Sequence, residues 1–318
     1  MSEITNPHDK LFKEIEKVKE NSRDLIESTF PEELLEKLDL DTLENDNNSY
    51  IDENLQEYYS DMVYNCEYKG NVRIKISILF EHKSYKPKNE YLQLLRYILN
   101  IWDYAEKNRE EPSLVVPVIF YHGKEKWVVK PLFKYFKGVD EILKEFIPDF
   151  KYLLTDLNEV SDSVIINEKF KSNINKVMAL LLKHMKDENY LKEQMQDIFF
   201  LIKDFFGTEK RSVVITFLLY IMSATEIDKD YIEKCLNSIS PEGGEITMTT
   251  AMKLREEGIQ QGIQQGMQQG MQQGIQQGMQ QGVQEGKQED AKIMLQKGYP
   301  IDDIVEITGL SKEEIQKL

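Results

Sequence analysis

Only two cysteines, Cys66 and Cys235, occur in this chain of 318 residues, and their spacing suggests no pairing. That excludes a disulfide framework and fits a reducing cytoplasm. Histidine is as scarce: His8, His82, His122 and His184 are scattered, and with two cysteines they make no convincing zinc site. No run of about 18 apolar residues exists to cross a bilayer. The opening Met1-Ser2-Glu3-Ile4-Thr5-Asn6-Pro7 is polar and lacks the charged-then-apolar layout of a secretory signal. These absences lead to the expectation of a soluble, cytoplasmic protein with no membrane partner. Hydrophobic residues make up 41% of the chain and aromatics 10%, enough to bury a sizeable core, so wholesale disorder is not expected.

A net charge of −16 argues against a nucleic-acid binder at first sight. The distribution partly reverses this. Between Tyr68 and Ile98 lie seven basic residues (Lys69, Arg73, Lys75, Lys83, Lys86, Lys88, Arg96) and two acids (Glu81, Glu90). A second basic cluster follows at Lys124, Lys126, Lys130, Lys134 and Lys137. Local fields, not the total, decide where a phosphate backbone can sit, although such lysines also serve simply to keep a surface solvated.

Residues 7–38 read as helical, with Phe12, Ile15 and Val18 at helical spacing and a second start at Pro31. From Asp61 to Tyr68 the pattern alternates, Lys69-Gly70-Asn71 offers a turn, and Val72 to Phe80 alternates again, which predicts a hairpin. On its second strand Val72, Ile74, Ile76, Ile78 and Phe80 share one face, and Arg73, Lys75, Ser77, Leu79, Glu81 and Lys83 the other. After Pro87, an amphipathic helix is predicted over 90–106 with Leu92, Leu95, Leu99 and Trp102 along one side. The apolar run Leu114 to Tyr121, ending in His122-Gly123, predicts a strand covered on both faces, and 150–154 a further strand. The expected fold class is α/β: a small mixed sheet flanked by helices over 1–155. A helical region (156–247) follows, packing against that core or continuing from it.

Glycine then recurs every fourth residue from Gly258 to Gly286, mostly followed by Ile, Met or Val and two glutamines. A period of four drifts about 40° per repeat on a helix, so the apolar stripe winds around it along a right-handed path. Residues 248–290 are therefore either a self-association stalk, giving a homo-oligomer, or a polar linker of partial helicity. Residues 291–318 form a helical coda similar to a helix-turn-helix, with Ser311 and Glu314 in capping-box spacing. Its acids (Asp302, Asp303, Glu306, Glu313, Glu314) point to protein contacts over groove binding.

One constellation carries chemistry. Asp61 opens the first hairpin strand, and Glu81-His82-Lys83 ends the second. Phosphodiester hydrolysis uses a divalent cation held by one or two carboxylates, and a nearby ammonium can hold the attacking water or stabilise developing charge. If the turn is Lys69-Gly70-Asn71, Asp61 falls opposite Leu79 and diagonal to Glu81, about 7–8 Å away between backbone positions. A two-residue turn would put Asp61 opposite Phe80, on the wrong face. Chance also supplies such an acid pair, because 30% of the residues are charged.

Several segments in order resemble the Rpn family of recombination-promoting nucleases, also labelled YhgA-like transposases. They are Asn6-Pro7-His8-Asp9-Lys10-Leu11-Phe12-Lys13, Ser60-Asp61-Met62-Val63-Tyr64, Leu79-Phe80-Glu81-His82-Lys83-Ser84, Leu94-Leu95-Arg96-Tyr97 and Pro117-Val118-Ile119-Phe120-Tyr121-His122-Gly123. The resemblance covers roughly the first half of the chain, and the repeat tail and coda are also similar to C-terminal regions of that family. It implies a restriction-endonuclease-like PD-(D/E)xK core and DNA cleavage dependent on Mg²⁺ or Mn²⁺. Asp61 and Glu81 match the metal-binding acids, and Lys83 the third catalytic position, where many members carry Gln.

Accessory positions stay open. Asp9 either caps the first helix or approaches the site. Gln93 and Tyr97 resemble a Gln-x-x-x-Tyr feature of related nucleases, or are simply solvated and partly buried. His122 contacts substrate or makes a structural hydrogen bond. Arg73, Lys75, Lys86 and Lys88 are the expected DNA contacts. The alternative function is an inactive nuclease fold kept as a DNA-binding or assembly module. No acid triad stands out for a true transposase.

Overall fold

The hairpin forms in the register that the three-residue turn requires. In the computed structural model, which describes residues 7–46, 61–69, 72–81 and 89–318, strand β2 (Asp61–Tyr68) runs antiparallel to β3 (Val72–Glu81). Tyr68 pairs with Val72 and Asp61 with Leu79. β3 then runs parallel to β4 (Leu114–Tyr121), and β4 parallel to β5 (Leu153–Asp156), with the single helical turn α5 (Glu141–Lys144) between the last two. A strand not expected from the sequence, β1 (Leu38–Asn45), pairs antiparallel with β2, giving the order β1-β2-β3-β4-β5. The helical reading of residues 7–38 is corrected at its end. Helices α1 (Pro7–Glu16), α2 (Lys19–Thr29) and the single turn α3 (Glu32–Leu35) stop before Leu38. From there Leu38 and Leu40 alternate with acids and bury against the sheet's helical layer.

Two apolar layers cover the sheet. Met62, Tyr64, Cys66, Ile74, Val118 and Phe120 join Leu11, Phe12 and Ile15 of α1. The same cluster continues without a break into the helices that follow β5: α7 (Asn173–His184), α8 (Glu188–Phe200), α9 (Arg211–Ala224) and α10 (Lys229–Asn237). Their apolar sequence runs are thus the back of the sheet's own core. On the other face Val63, Val115, Ile119 and Tyr121 pack under α4 (Glu90–Lys107). β4 is covered on both sides, as its unbroken apolar run predicts.

The face α4 presents differs from the expected one. Leu92, Leu99 and Trp102 are exposed, and Tyr91, Leu94, Tyr97, Ile98 and Ile101 are buried. Both stripes are apolar at helical spacing, so helix periodicity alone does not separate them. Instead, Leu99 and Trp102 line an open groove of about 730 Å³, where the Trp102 indole donates to the Ser113 carbonyl at 2.9 Å.

A buried carboxyl group and a half-buried one make opposite pH predictions. Glu16 is fully buried at the end of α1, and its carboxylate oxygens have no partner among the described residues. Burial first, and the charge of Asp24 second, push its pKa well up. A raised carboxyl pKa means stability present below the unfolded value of 4.5 and lost as pH rises above it. Glu16→Gln is therefore expected to raise Tm at pH 8 and to lose that advantage near pH 4, read by thermal melts across pH.

Asp162 behaves inversely. It opens the turn α6 (Asp162–Val164), which leads into a π-helical turn, Ile165–Lys169. It accepts from Lys183 Nζ at 2.7 Å, His184 Nε2 at 2.9 Å and the Tyr190 hydroxyl at 2.6 Å. Burial opposes ionisation, and these three donors overcome it, so its pKa falls from 3.8 to about 2. Its stabilisation is present above pH 3.8 and lost as pH falls towards 2. Asp162→Asn should show a smaller drop in Tm between pH 6 and pH 3 than the wild type.

The described residues up to Lys253 form one compact unit, and Leu254–Leu318 belong to a second. Helix α11 spans Pro241–Gln296. In the second unit Ala291, with Ile304 of α12 (Ile301–Thr308), Leu310, and Ile315 of α13 (Lys312–Ile315), makes a small core of its own. Gly309 closes α12 at φ 70°, a left-handed cap that favours glycine. Ser311 and Glu314 make the reciprocal capping box that their spacing implies.

Candidate active site

The register puts Asp61 and Glu81 at the same end of adjacent strands. Because Asp61 pairs with Leu79, Glu81 lies two residues further along β3 with the same parity. That parity belongs to Val63, Ile119 and Tyr121, the α4 side of the sheet. Backbone positions related in this way are about 7–8 Å apart. Among the described residues no cluster of three or more His, Cys, Asp and Glu forms a ready metal cage. Lys83, together with His82, Lys86 and Lys88, lies outside the described residues.

The ladder continues across the sheet: Glu81 pairs with Tyr121, and Tyr121 with Asp156 of β5. Asp156 is buried, and its Oδ1 accepts from the Asn158 backbone N–H at 3.0 Å and side-chain amide at 2.8 Å. It was not singled out from the sequence, because one aspartate ending a short strand carries no spacing signal. Next to Tyr121, Gly123 permits a tight exit from β4. A Cβ there would fall 2.4 Å from the Tyr121 hydroxyl, so a side chain would displace that buried ring.

The accessory residues divide between the layers. His122, one residue past β4, is buried with its ring 5.1 Å from that of His8, whose Nδ1 lies 2.7 Å from the Tyr220 hydroxyl. His122 thus belongs with α1 and α9 in this histidine–tyrosine cluster. Asp9 sits in the first turn of α1, where a carboxylate opposes the helix dipole, and pairs with Lys13 at 3.4 Å. It shares this end of the sheet with His122, but on the layer opposite the parity of Asp61 and Glu81.

Tyr97 and Gln93 both lie on α4, where Tyr97 is buried on the face towards the sheet and Gln93 is half-buried. Arg73 and Lys75 lie on β3 eight and six residues before Glu81. At about 3.3 Å per residue that is roughly 26 and 20 Å along the strand.

A second buried acid, also missed, stands at the start of α4 itself. Glu90 opens α4 and is enclosed, with the hydroxyls of Tyr135 and Tyr152 close to its carboxyl. Burial first pushes both tyrosine hydroxyls upward, and the charge of Glu90 and a hydrogen bond to it raise both further, while the Trp127 indole, donating to Tyr152, partly offsets the rise there.

Residues 6–213 match the family described as "Putative transposase, YhgA-like". The chain belongs to this family. Two relatives align along nearly their whole length. Recombination-promoting nuclease RpnC of Escherichia coli K12 is 28% identical over 99% of this chain and 97% of its own. Recombination-promoting nuclease RpnA of the same strain is 25% identical, covering 98% and 96%. A third K12 relative, 28% identical over 81% of this chain and 85% of its own, is named an inactive recombination-promoting nuclease-like protein, RpnE. No solved structure matches the chain. No helix among the described residues is long and apolar enough to cross a membrane.

Proposed function

We propose that this YhgA-like chain is a cytoplasmic, divalent-metal-dependent DNA endonuclease with a PD-(D/E)xK, restriction-endonuclease-like core. The observation that carries the reading is the hairpin register, which gives Asp61 and Glu81 one parity and one strand end. Two full-length relatives named recombination-promoting nucleases support it further.

Asp61 and Glu81 suit Mg²⁺ or Mn²⁺, since both offer hard carboxylate oxygens and two such ligands leave room for water and substrate. A cation bound there neutralises charge on the scissile phosphate and lowers the pKa of a water. Lys83 supplies an ammonium that holds the attacking water and stabilises negative charge as it develops. Supercoiled plasmid should be nicked in Mg²⁺ or Mn²⁺ and left intact with EDTA. Nicking that persists in EDTA, or no nicking with either metal, ends this reading.

A second reading is an inactive module of the same fold, favoured by the relative named inactive. Calorimetric titration with Mn²⁺ separates the two, because an intact acid pair binds the ion and a degenerate site does not. We also read the repeat as a homo-oligomer contact. Ile263, Met267, Met271 and Ile275 are exposed along the helix, and a second copy would cover them. Sedimentation should show a mass above 37.4 kDa that falls to one chain when α11 is truncated at residue 257.

A further inference from the structure

We propose that residues 124–137, the segment leaving β4, form a tract for single-stranded DNA in which Phe136 stacks on an unpaired base and lysines line the backbone. The substrate class rests on the nuclease reading above; the tract itself rests on independent observations.

The first is charge. The whole chain carries −16, yet this segment holds five lysines and one acid, Glu125. Lys126 is engaged with Glu159 at 3.0 Å. Lys124, Lys130, Lys134 and Lys137 are exposed and make no ion pair among the described residues. A local inversion of sign of this kind draws in phosphate.

The second is what stands between the lysines. Phe136 is 49% exposed, and Val129 beside Lys130 is exposed too. Little of the segment is regular: one short 3₁₀ turn, Leu132–Tyr135, and no helix that could enter a major groove. Duplex DNA hides its base faces, so an exposed aromatic ring gains from stacking only where bases are unpaired.

The third is placement. Trp127 anchors the segment, buried with its ring 4.8 Å from Tyr121 and its indole donating to the Tyr152 hydroxyl at 3.0 Å. Tyr121 is the ladder partner of Glu81. Tyr135 ties the other end to the start of α4, through Glu90 and the ring of Tyr91 at 5.8 Å. The tract is thus fastened at one end to the ladder partner of Glu81 and at the other to the start of α4. A strand lying along it would approach the site already unpaired.

Phe146 provides an internal control. It is 80% exposed, but belongs to the acidic stretch containing Asp140, Glu141, Glu145 and Asp149. General apolar adhesion would use it at least as much as Phe136.

The test is fluorescence anisotropy with the full chain in EDTA, so that binding is read without cleavage. The probes are a labelled 20-mer of dT, an abasic strand of equal length and a 20-base-pair duplex. Wild type should bind dT more tightly than either other probe. Phe136→Ala should weaken dT binding about ten-fold and leave abasic binding unchanged, the scale of one base–aromatic stack. Phe146→Ala should change neither. The triple variant Lys130→Ala, Lys134→Ala, Lys137→Ala should weaken all three probes and flatten the salt slope by about 2.

Equal dT affinity for wild type and Phe136→Ala overturns the proposal. So does an equal loss in Phe136→Ala and Phe146→Ala. If Phe136→Ala instead abolishes binding to phosphatidylglycerol vesicles and spares dT, the surface is a lipid contact and the proposal falls. The nuclease reading fails separately: dT binding through Phe136 with no metal-dependent nicking leaves the tract standing and removes the enzyme. Nicking by a protein whose dT affinity ignores Phe136 does the reverse.

Discussion

Asp61→Ala and Glu81→Ala are each expected to lower Mg²⁺-dependent plasmid nicking by roughly a hundred- to a thousand-fold. A cation that neutralises transition-state charge is worth several kcal/mol, at about 1.4 kcal/mol per factor of ten. Either carboxylate alone holds a divalent ion poorly, so the two losses should be similar and the double variant little worse than either single one. Stability should move the other way. Two acids on diagonal positions of neighbouring strands repel when no ion sits between them. Tm in EDTA should therefore equal or exceed that of the wild type in both variants, which separates lost chemistry from lost fold. Nicking at the wild-type rate by both purified variants would remove these residues from the mechanism. Lys83→Ala should reduce nicking as well, and Lys83→Gln less, because an amide still places a hydrogen-bond donor near the attacking water.

Phe12→Ala should cost about 3–5 kcal/mol, the range for emptying a fully buried aromatic site. Phe12 of α1 and Phe120 of β4 are both fully buried, with ring centroids 5.7 Å apart. Around them one continuous core joins the sheet to α7 and α9, so neighbours on several elements would have to move to refill the cavity. Against a typical net stability of about 5–15 kcal/mol, the loss leaves a marginal fold. Urea titration by circular dichroism should show a lower midpoint at unchanged slope. A shift under about 1 kcal/mol would mean that α1 is not fastened to the sheet through this contact. Leu92→Ala, on the exposed side of α4, is the matched control and should change stability by about 0.5 kcal/mol or less.

How far the sequence could be read varied by element. The hairpin was legible because its signals are local: alternation on both sides of Lys69-Gly70-Asn71, and a turn length that sets the register. β4 was legible because an apolar run of that length has no polar face to give to water. β1 was not, because Leu38-Asp39-Leu40-Asp41 carries strand alternation too short and too acidic to stand out after a helical run. Its pairing depends on β2 offering a free edge. Asp156 and Glu90 were missed for a related reason, since nothing local in the sequence marks either one before a distant element encloses it.

Pattern and composition by themselves determined the mixed α/β class, the hairpin with its two acids, and the helical run after the sheet. They could do so because turns and alternation act between residues a few positions apart. Tertiary structure alone decided which stripe of α4 is buried, that the later helices share the sheet's core, and that His122 joins α1 while Glu81 keeps the α4 parity. Those outcomes turn on which apolar surface another element covers. A helix carrying two apolar stripes is resolved only by the sheet it lands on.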